Sequence, residues 1–213
     1  MQVYCIPFGN NNKEEFNMNT KTRTLVGTGI LTAIVIVLQS MALAIRFGTF
    51  SITLVLIPIV VGAALYGIKA GAWLGFVFGV VVTATDAGAF LAINVPGTVA
   101  TCILKGMLAG LVAGLVYKAL ENKNRWIAVI SAAVVAPVVN TGIFLLGCRI
   151  FFFPTINEWA AGAGFESAGQ YMIFGLVGLN FVVEAVINIA LSSIIVRVLN
   201  IIKKPAPKAE AQG

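Results

Sequence analysis

Between Leu25 and Ile45 the chain runs without a single charged side chain, and the basic residues Lys21 and Arg23 stand just before it. Roughly 20 apolar residues is the length of one bilayer crossing. A helix in water keeps charge on its outer face, and this one has none to present. The remaining chain meets the same condition. Of 213 residues, 59% are hydrophobic and 10% charged, against about 25% charged in a water-soluble domain. So few charges do not cover a core with a solvated surface, and lipid is the implied solvent.

The apolar runs can be taken in order. Span one, Leu25 to Ile45, ends at Arg46, and a short loop to Ser51 follows. Span two, Ile52 to Gly67, contains Pro58, and Lys69 marks a tight turn. Span three, Ala70 to Thr85, carries Gly71, Gly75 and Gly79, and span four, Pro96 to Leu120, carries Gly106, Gly110 and Gly114. Glycines four apart make a small stripe that lets a neighbouring helix approach closely. Pro96 suits a first helical turn. Asp86 to Val95 reads as a loop or a partly re-entrant segment. After the polar turn Glu121 to Arg125, span five runs from Trp126 to Phe151. The longest connection, Phe152 to Gly169, mixes aromatics with Glu158 and Glu166; its aromatics either sit at the membrane interface or belong to a movable lid over an outward-facing pocket. Span six, Gln170 to Ile202, exceeds what a bilayer needs and is expected to tilt or project.

Charge orients these spans. With the N-terminus inside, Lys13, Lys21, Arg23, Lys69, Lys118, Lys123, Arg125, Arg197, Lys203, Lys204 and Lys208 all fall inside, and only Arg46 and Arg149 fall outside. Such asymmetry follows the positive-inside rule. It also accounts for the net charge of +6 without nucleic acid. The expected fold is an all-α integral membrane protein, a six-transmembrane-helix bundle with both termini cytoplasmic. Residues 1–20 are expected to be a flexible leader, with Met18 a second candidate start, residues 21–202 the membrane domain, and residues 203–213 a disordered tail.

Polar groups inside the spans each need a partner or a wet cavity, since a charge at the bilayer centre costs at least ~2.5–3.5 kcal/mol. Lys105 lies in span four, Asn140 in span five, and Asn180, Glu184 and Asn188 in span six. The last three are four apart and line one helical face. Lys105 and Glu184 either pair with each other or hold cargo. The asparagines either hydrogen-bond between helices or hold cargo. Arg46 and Arg149, at outer helix ends, either snorkel to the headgroups or clamp a carboxylate or phosphate.

There is no histidine, and the cysteines Cys5, Cys102 and Cys148 form no CxxC, so no metal site or cofactor is expected. No nucleophile motif or phosphate-binding loop appears. The chain is therefore not expected to be an enzyme, and an ATP-driven process requires the ATPase on another chain. A stand-alone proton-coupled carrier or channel is the alternative, with Glu184 as its key residue, although proton carriers generally show a relay of such groups.

Span one also holds the small pair Gly29 and Ala33, in GILTA, one helical turn apart near its cytoplasmic end. With this pair, the six-span size, the inward termini and the missing ATP site, residues Lys21 to Ile202 resemble the substrate-binding (S) component of energy-coupling factor (ECF) transporters. In that family an AxxxA-type motif on helix one docks on a transmembrane coupling subunit. The resemblance implies that Gly29 and Ala33 do so here, and that two ATPase subunits supply the energy. It implies capture of a water-soluble vitamin at a bacterial cytoplasmic membrane, between the outer halves of helices four to six and beneath the first and third outer connections. The loaded protein then topples in the lipid. The metal-carrying members use an N-terminal histidine, which this chain lacks. Segments ITLVLIPIVVGAALYG and APVVNTGIFLLG are similar to the pantothenate type, with riboflavin, folate and pyridoxine types as alternatives. A pantothenate carboxylate would take Lys105, Arg46 or Arg149, and its amide and hydroxyls would take Asn140 and Asn180.

Overall fold

The computed structural model describes residues 20–42, 46–47, 50–51 and 54–202. The expected tail, and the expected leader apart from Thr20, lie outside the described residues. The side chains of Arg46 and Asn180 also lie outside the description. What is described is almost wholly helical. Helix α1 (Thr20–Ala42) is followed by a two-residue antiparallel ladder of β1 (Arg46–Phe47) and β2 (Phe50–Ser51). Then come α2 (Leu56–Tyr66), α3 (Ile68–Thr85), the single turn α4 (Gly88–Leu91), α5 (Val95–Leu120) and α6 (Arg125–Phe151). The chain closes with α7 (Phe153–Gly162), α8 (Ala168–Gln170), a π-helical segment (Tyr171–Val177) and α9 (Gly178–Ile202).

Four helices, α1, α3, α5 and α6, are long and apolar enough to cross a membrane, and the bent pair Ala168–Val177 plus Phe181–Arg197 makes a fifth. The second expected span is shorter than its apolar run. Helix α2 has 11 residues, about 16 Å at 1.5 Å per residue, roughly half the hydrocarbon thickness. It is nonetheless the centre of the bundle and packs against α1, α3, α5, α6 and α9. Leu56, Ile59 and Val60 are fully buried there. Pro58 falls in its first turn, where a missing N–H costs no helical hydrogen bond. Gly67, at φ +92°, turns the chain directly into α3, a conformation that favours glycine.

The two glycine stripes prove to be one contact. Gly71, Gly75 and Gly79 on α3 face Gly110, Gly106 and the carbonyl of Cys102 on α5, in antiparallel order. A methyl placed on Gly71 would lie 2.6 Å from the Gly110 carbonyl oxygen, so the two backbones themselves are in touch. This is the small-residue packing expected from the sequence. Asn94 caps α5 by accepting from Gly97 N–H at 2.9 Å, with Pro96 in the first turn. Asn124 caps α6 in the same way from Trp126 N–H at 2.8 Å.

Two expected loops contain helix, and the last span is broken. Asp86 to Val95 includes the turn α4. The connection Phe152 to Gly169 is largely α7, whose Ile156 and Ala160 bury one face four residues apart. The expected continuous span six bends by 41° between the π-helical segment and α9. Gly178, at φ +37°, stands at that break. A long apolar run conceals such a break because π-turns leave no hydropathy signal.

At the end of the bundle opposite α4 and α7, α1 begins, α2 turns into α3, α5 turns into α6, and α9 finishes. Gly27 on α1 meets the Tyr66 ring of α2 there, and Gly114 on α5 meets Ile68 at the start of α3. Among the described residues, Lys21, Arg23, Lys69, Lys118, Lys123, Arg125 and Arg197 all belong to this end.

Candidate functional site

A cavity of about 850 Å³ opens at the α4–α7 end. Its walls come from α3 (Phe78, Val82), α5 (Cys102, Lys105), α6 (Asn140, Thr141, Phe144) and α9 (Phe181, Glu184). Gln39 of α1 closes one side, and Asp86, Phe90, Trp159 and Tyr171 form the cap. Of the site residues expected from the sequence, the structure brings Lys105, Asn140 and Glu184 together on this one cavity.

Lys105 is half-buried, and its ammonium stands 5.1 Å from the ring centre of Phe144 and 6.0 Å from that of Phe78. Ring faces attract a cation but do not accept its three N–H bonds as a carboxylate would. Among the described residues, no hydrogen bond or ion pair to this ammonium is present. Asn140 offers a second unmet group, for its Oδ1 is buried with no hydrogen-bond partner. Pro137, one turn earlier, interrupts the backbone ladder of α6. Gln39 Oε1 is buried and unpartnered as well. An unmet polar atom in such a place costs ~1–3 kcal/mol, unless something that binds there supplies the missing bond.

The cap is aromatic. Phe90, on the single turn α4, lies 5.8 Å from Phe144, 5.0 Å from Phe152 and 5.6 Å from Trp159, edge-to-face in each case. One ring thus fastens α4 to α6 and α7 across the mouth, in the geometry that aromatic quadrupoles favour. Asn94 holds the end of the same connection by its cap on α5. Exposed Glu158 borders the opening, one residue before Trp159.

The other expected site residues stand elsewhere. Arg149 is exposed in the last turn of α6, and its guanidinium lies 3.8 Å from the ring centre of Phe153, off the cavity wall. Asn188 is buried one turn below Glu184, and donates from Nδ2 to the Glu184 carbonyl at 2.9 Å. Gly29 and Ala33 are exposed on the outside of α1, and nothing lies within 4 Å of a Cβ built on Gly29. Among the described residues the caps come from the α3–α5 connection and from the α6–α9 connection, the third outer one; the side chains of the first connection lie outside the described residues. The sequence did not single out Gln39, Asp86, Phe78, Phe90, Phe144, Tyr171 or Phe181. For Gln39 a signal existed, since it is the one amide in an otherwise apolar and hydroxylic span.

No ligand set of three or more His, Cys, Asp or Glu is gathered among the described residues. The described lining combines the Lys105 cation, the carboxylates Asp86, Glu158 and Glu184, buried amide oxygens on Gln39 and Asn140 without hydrogen-bond partners, and aromatic walls. No curated protein and no solved structure matches the chain. The family model described as "ECF transporter, substrate-specific component" matches residues 23–200, a range that holds all the residues lining the cavity. The chain belongs to that family, the substrate-specific components of ECF transporters.

Proposed function

We propose that this substrate-specific component captures a carboxylated water-soluble vitamin, with pantothenate as its first candidate. The observation that carries the reading is the Lys105 ammonium, set in the cavity wall beside the rings of Phe144 and Phe78 and, among the described residues, without a hydrogen bond or ion pair. A carboxylate is the group such an ammonium lacks. Asn140 and Asn180 would serve the amide and hydroxyls of the same molecule, and the aromatic cap would close over its apolar part. Glu184 lines the same cavity as Lys105 and would pair with it or hold the cargo. Arg46 and Arg149 at the outer rim would draw an anion toward the opening.

The rest of the transport cycle follows from the family. The protein would sit in the bacterial cytoplasmic membrane as six spans with both termini inside, α2 with its lead-in serving as the second. The clustering of basic side chains at the end away from the cavity supports that orientation. Gly29 and Ala33 would dock on the transmembrane coupling subunit, and two ATPase subunits would drive release. The open, small-residue face of α1 supports that role, because none of the described residues comes within 4 Å of a Cβ built on Gly29.

The test is mass spectrometry of small molecules released from the purified protein, followed by calorimetry with pantothenate. Lys105→Met keeps the apolar stem and removes the charge. A charged hydrogen bond contributes ~1.5–3 kcal/mol, so pantothenate affinity should fall about 10- to 150-fold. Unchanged affinity in Lys105→Met removes the carboxylate assignment. Release of a vitamin without a carboxylate removes pantothenate altogether.

A further inference from the structure

Gln39 sits on α1, the helix whose outer face is left open, yet its side chain is 1% exposed and its Oε1 has no hydrogen-bond partner. It also lines the cavity with Lys105 and Asn140. A buried amide oxygen without a partner is a destabilising arrangement that folding alone would not retain. The rest of the inward face of α1 is Val35 and Ala42, four residues before and three after, both buried and apolar. Replacement of Gln39 by another apolar residue would complete that stripe at no polar cost.

Helix α1 is also the least embedded of the crossing helices. Of its span, 17% is buried, against 39% in each of α3 and α5. A side-chain hydrogen bond from Trp73 Nε1 to Thr32 Oγ1, at 3.3 Å, ties it to α3. A donor on the cargo that reached Gln39 would therefore add a substantial tie to a loosely held element.

We infer that Gln39 is a cargo-contact residue, and that cargo in the cavity pins α1 to the bundle through it. The inference rests on the reading of this cavity as the cargo site. It makes α1 responsive on both faces: the inner face senses an occupied cavity, and the outer face carries Gly29 and Ala33. The conformation and mobility of α1 would thus differ between loaded and empty protein, and the coupling subunit would meet a stiffer α1 in the loaded state.

Gln39→Met, close to glutamine in length, and Gln39→Asn, one methylene shorter, test this. In the ligand-free protein, Gln39→Met should melt no lower than wild type and about 2–12 °C higher if the unmet amide is fully relieved. A lower midpoint would mean that the amide makes an internal bond, and would overturn the assignment. With pantothenate as the probe, both variants should bind about tenfold or more weakly than wild type. Pantothenate should slow amide hydrogen exchange around residues 35–42 in wild type and leave it unchanged in Gln39→Met. Equal affinity, or equal slowing, in the two proteins overturns the inference while the cargo reading stands. If wild type itself does not bind pantothenate, that cargo reading fails, and Gln39 is decided by the ligand-free midpoint: a rise supports the contact role and a fall refutes it.

Discussion

Alanine at Gly75 and alanine at Gly29 are the same chemical change in two transmembrane helices, and the structure assigns them opposite consequences. At Gly75 the added methyl meets the Gly106 carbonyl, with the Gly106 carbonyl carbon at 2.7 Å and Met107 Cα at 3.1 Å. All three are backbone atoms, so no rotamer change clears them. Helices α3 and α5 must separate by about an ångström, which also loosens the contacts at Gly71 and Gly79. Overpacking of this kind costs ~1–3 kcal/mol, and the backbone character of the obstacle places Gly75→Ala at the upper end. Alanine recovers ~1 kcal/mol of helix propensity over glycine, which leaves a net loss of about 2 kcal/mol. At Gly29 nothing lies within 4 Å of the new methyl, so only the propensity gain remains. Thermal unfolding of both variants in one detergent, with tryptophan fluorescence as the probe, separates them. For a domain of this size about 2 kcal/mol is a loss of roughly 4–8 °C at Gly75, with no loss at Gly29. A Gly75→Ala protein as stable as wild type would refute the backbone-contact description of the α3–α5 crossing.

Two further outcomes are expected. Asn94→Ala removes the cap of α5 and should cost ~1 kcal/mol, read as a lower unfolding midpoint. The loss should be smaller when Asn94 is replaced by Ser or Asp, which cap in the same way. Gly29→Leu combined with Ala33→Leu should leave the isolated protein folded, because both positions face outward, but should abolish co-purification with the coupling subunit; a stable complex carrying both leucines would sink the docking role.

The helical membrane fold was legible because its cause is local and additive. Each uncharged run requires lipid, and each run in lipid satisfies its own backbone as a helix. The pairing of the glycine stripes was half legible. Gly71, Gly75 and Gly79 announce a close neighbour, but only the antiparallel fit of α3 on α5 identifies Gly110 and Gly106 as that neighbour. Hydropathy could not show that α2 is short, because Ile52 to Leu54 are as apolar as the helix that follows. The break at Gly178 was hidden for the same reason. At the cavity, Lys105, Asn140 and Glu184 stood out because a polar group in hydrocarbon needs a reason. The aromatic walls did not, because Phe78, Phe90 and Phe144 are as ordinary in a lipid-facing helix as around a ligand. Gln39 fell between these cases, since a neutral amide carries a smaller desolvation cost than a charge and draws less notice.

The division of the bundle into tight and loose parts bears on how an importer of this kind takes up energy made elsewhere. Helices α3 and α5 touch through backbone, and α5 and α6 share the wall that holds Lys105, Asn140 and Phe144. A contact between backbones has no soft side chain to absorb displacement, so this pair should behave as one body and would preserve the cavity in a protein that reorients. Helix α1 contributes little to that body and exposes Leu25, Ile30 and Val37 to its surroundings. A partner that grips α1 would therefore grip the least embedded of the single-helix spans, one that reaches the cavity through Gln39. If the whole protein instead reoriented as one rigid unit with α1 fixed, cross-linking α1 to α3, for example by cysteines at Thr32 and Trp73, would leave cargo uptake intact. Loss of uptake with cargo binding retained would show that α1 must move against the α3–α5 pair.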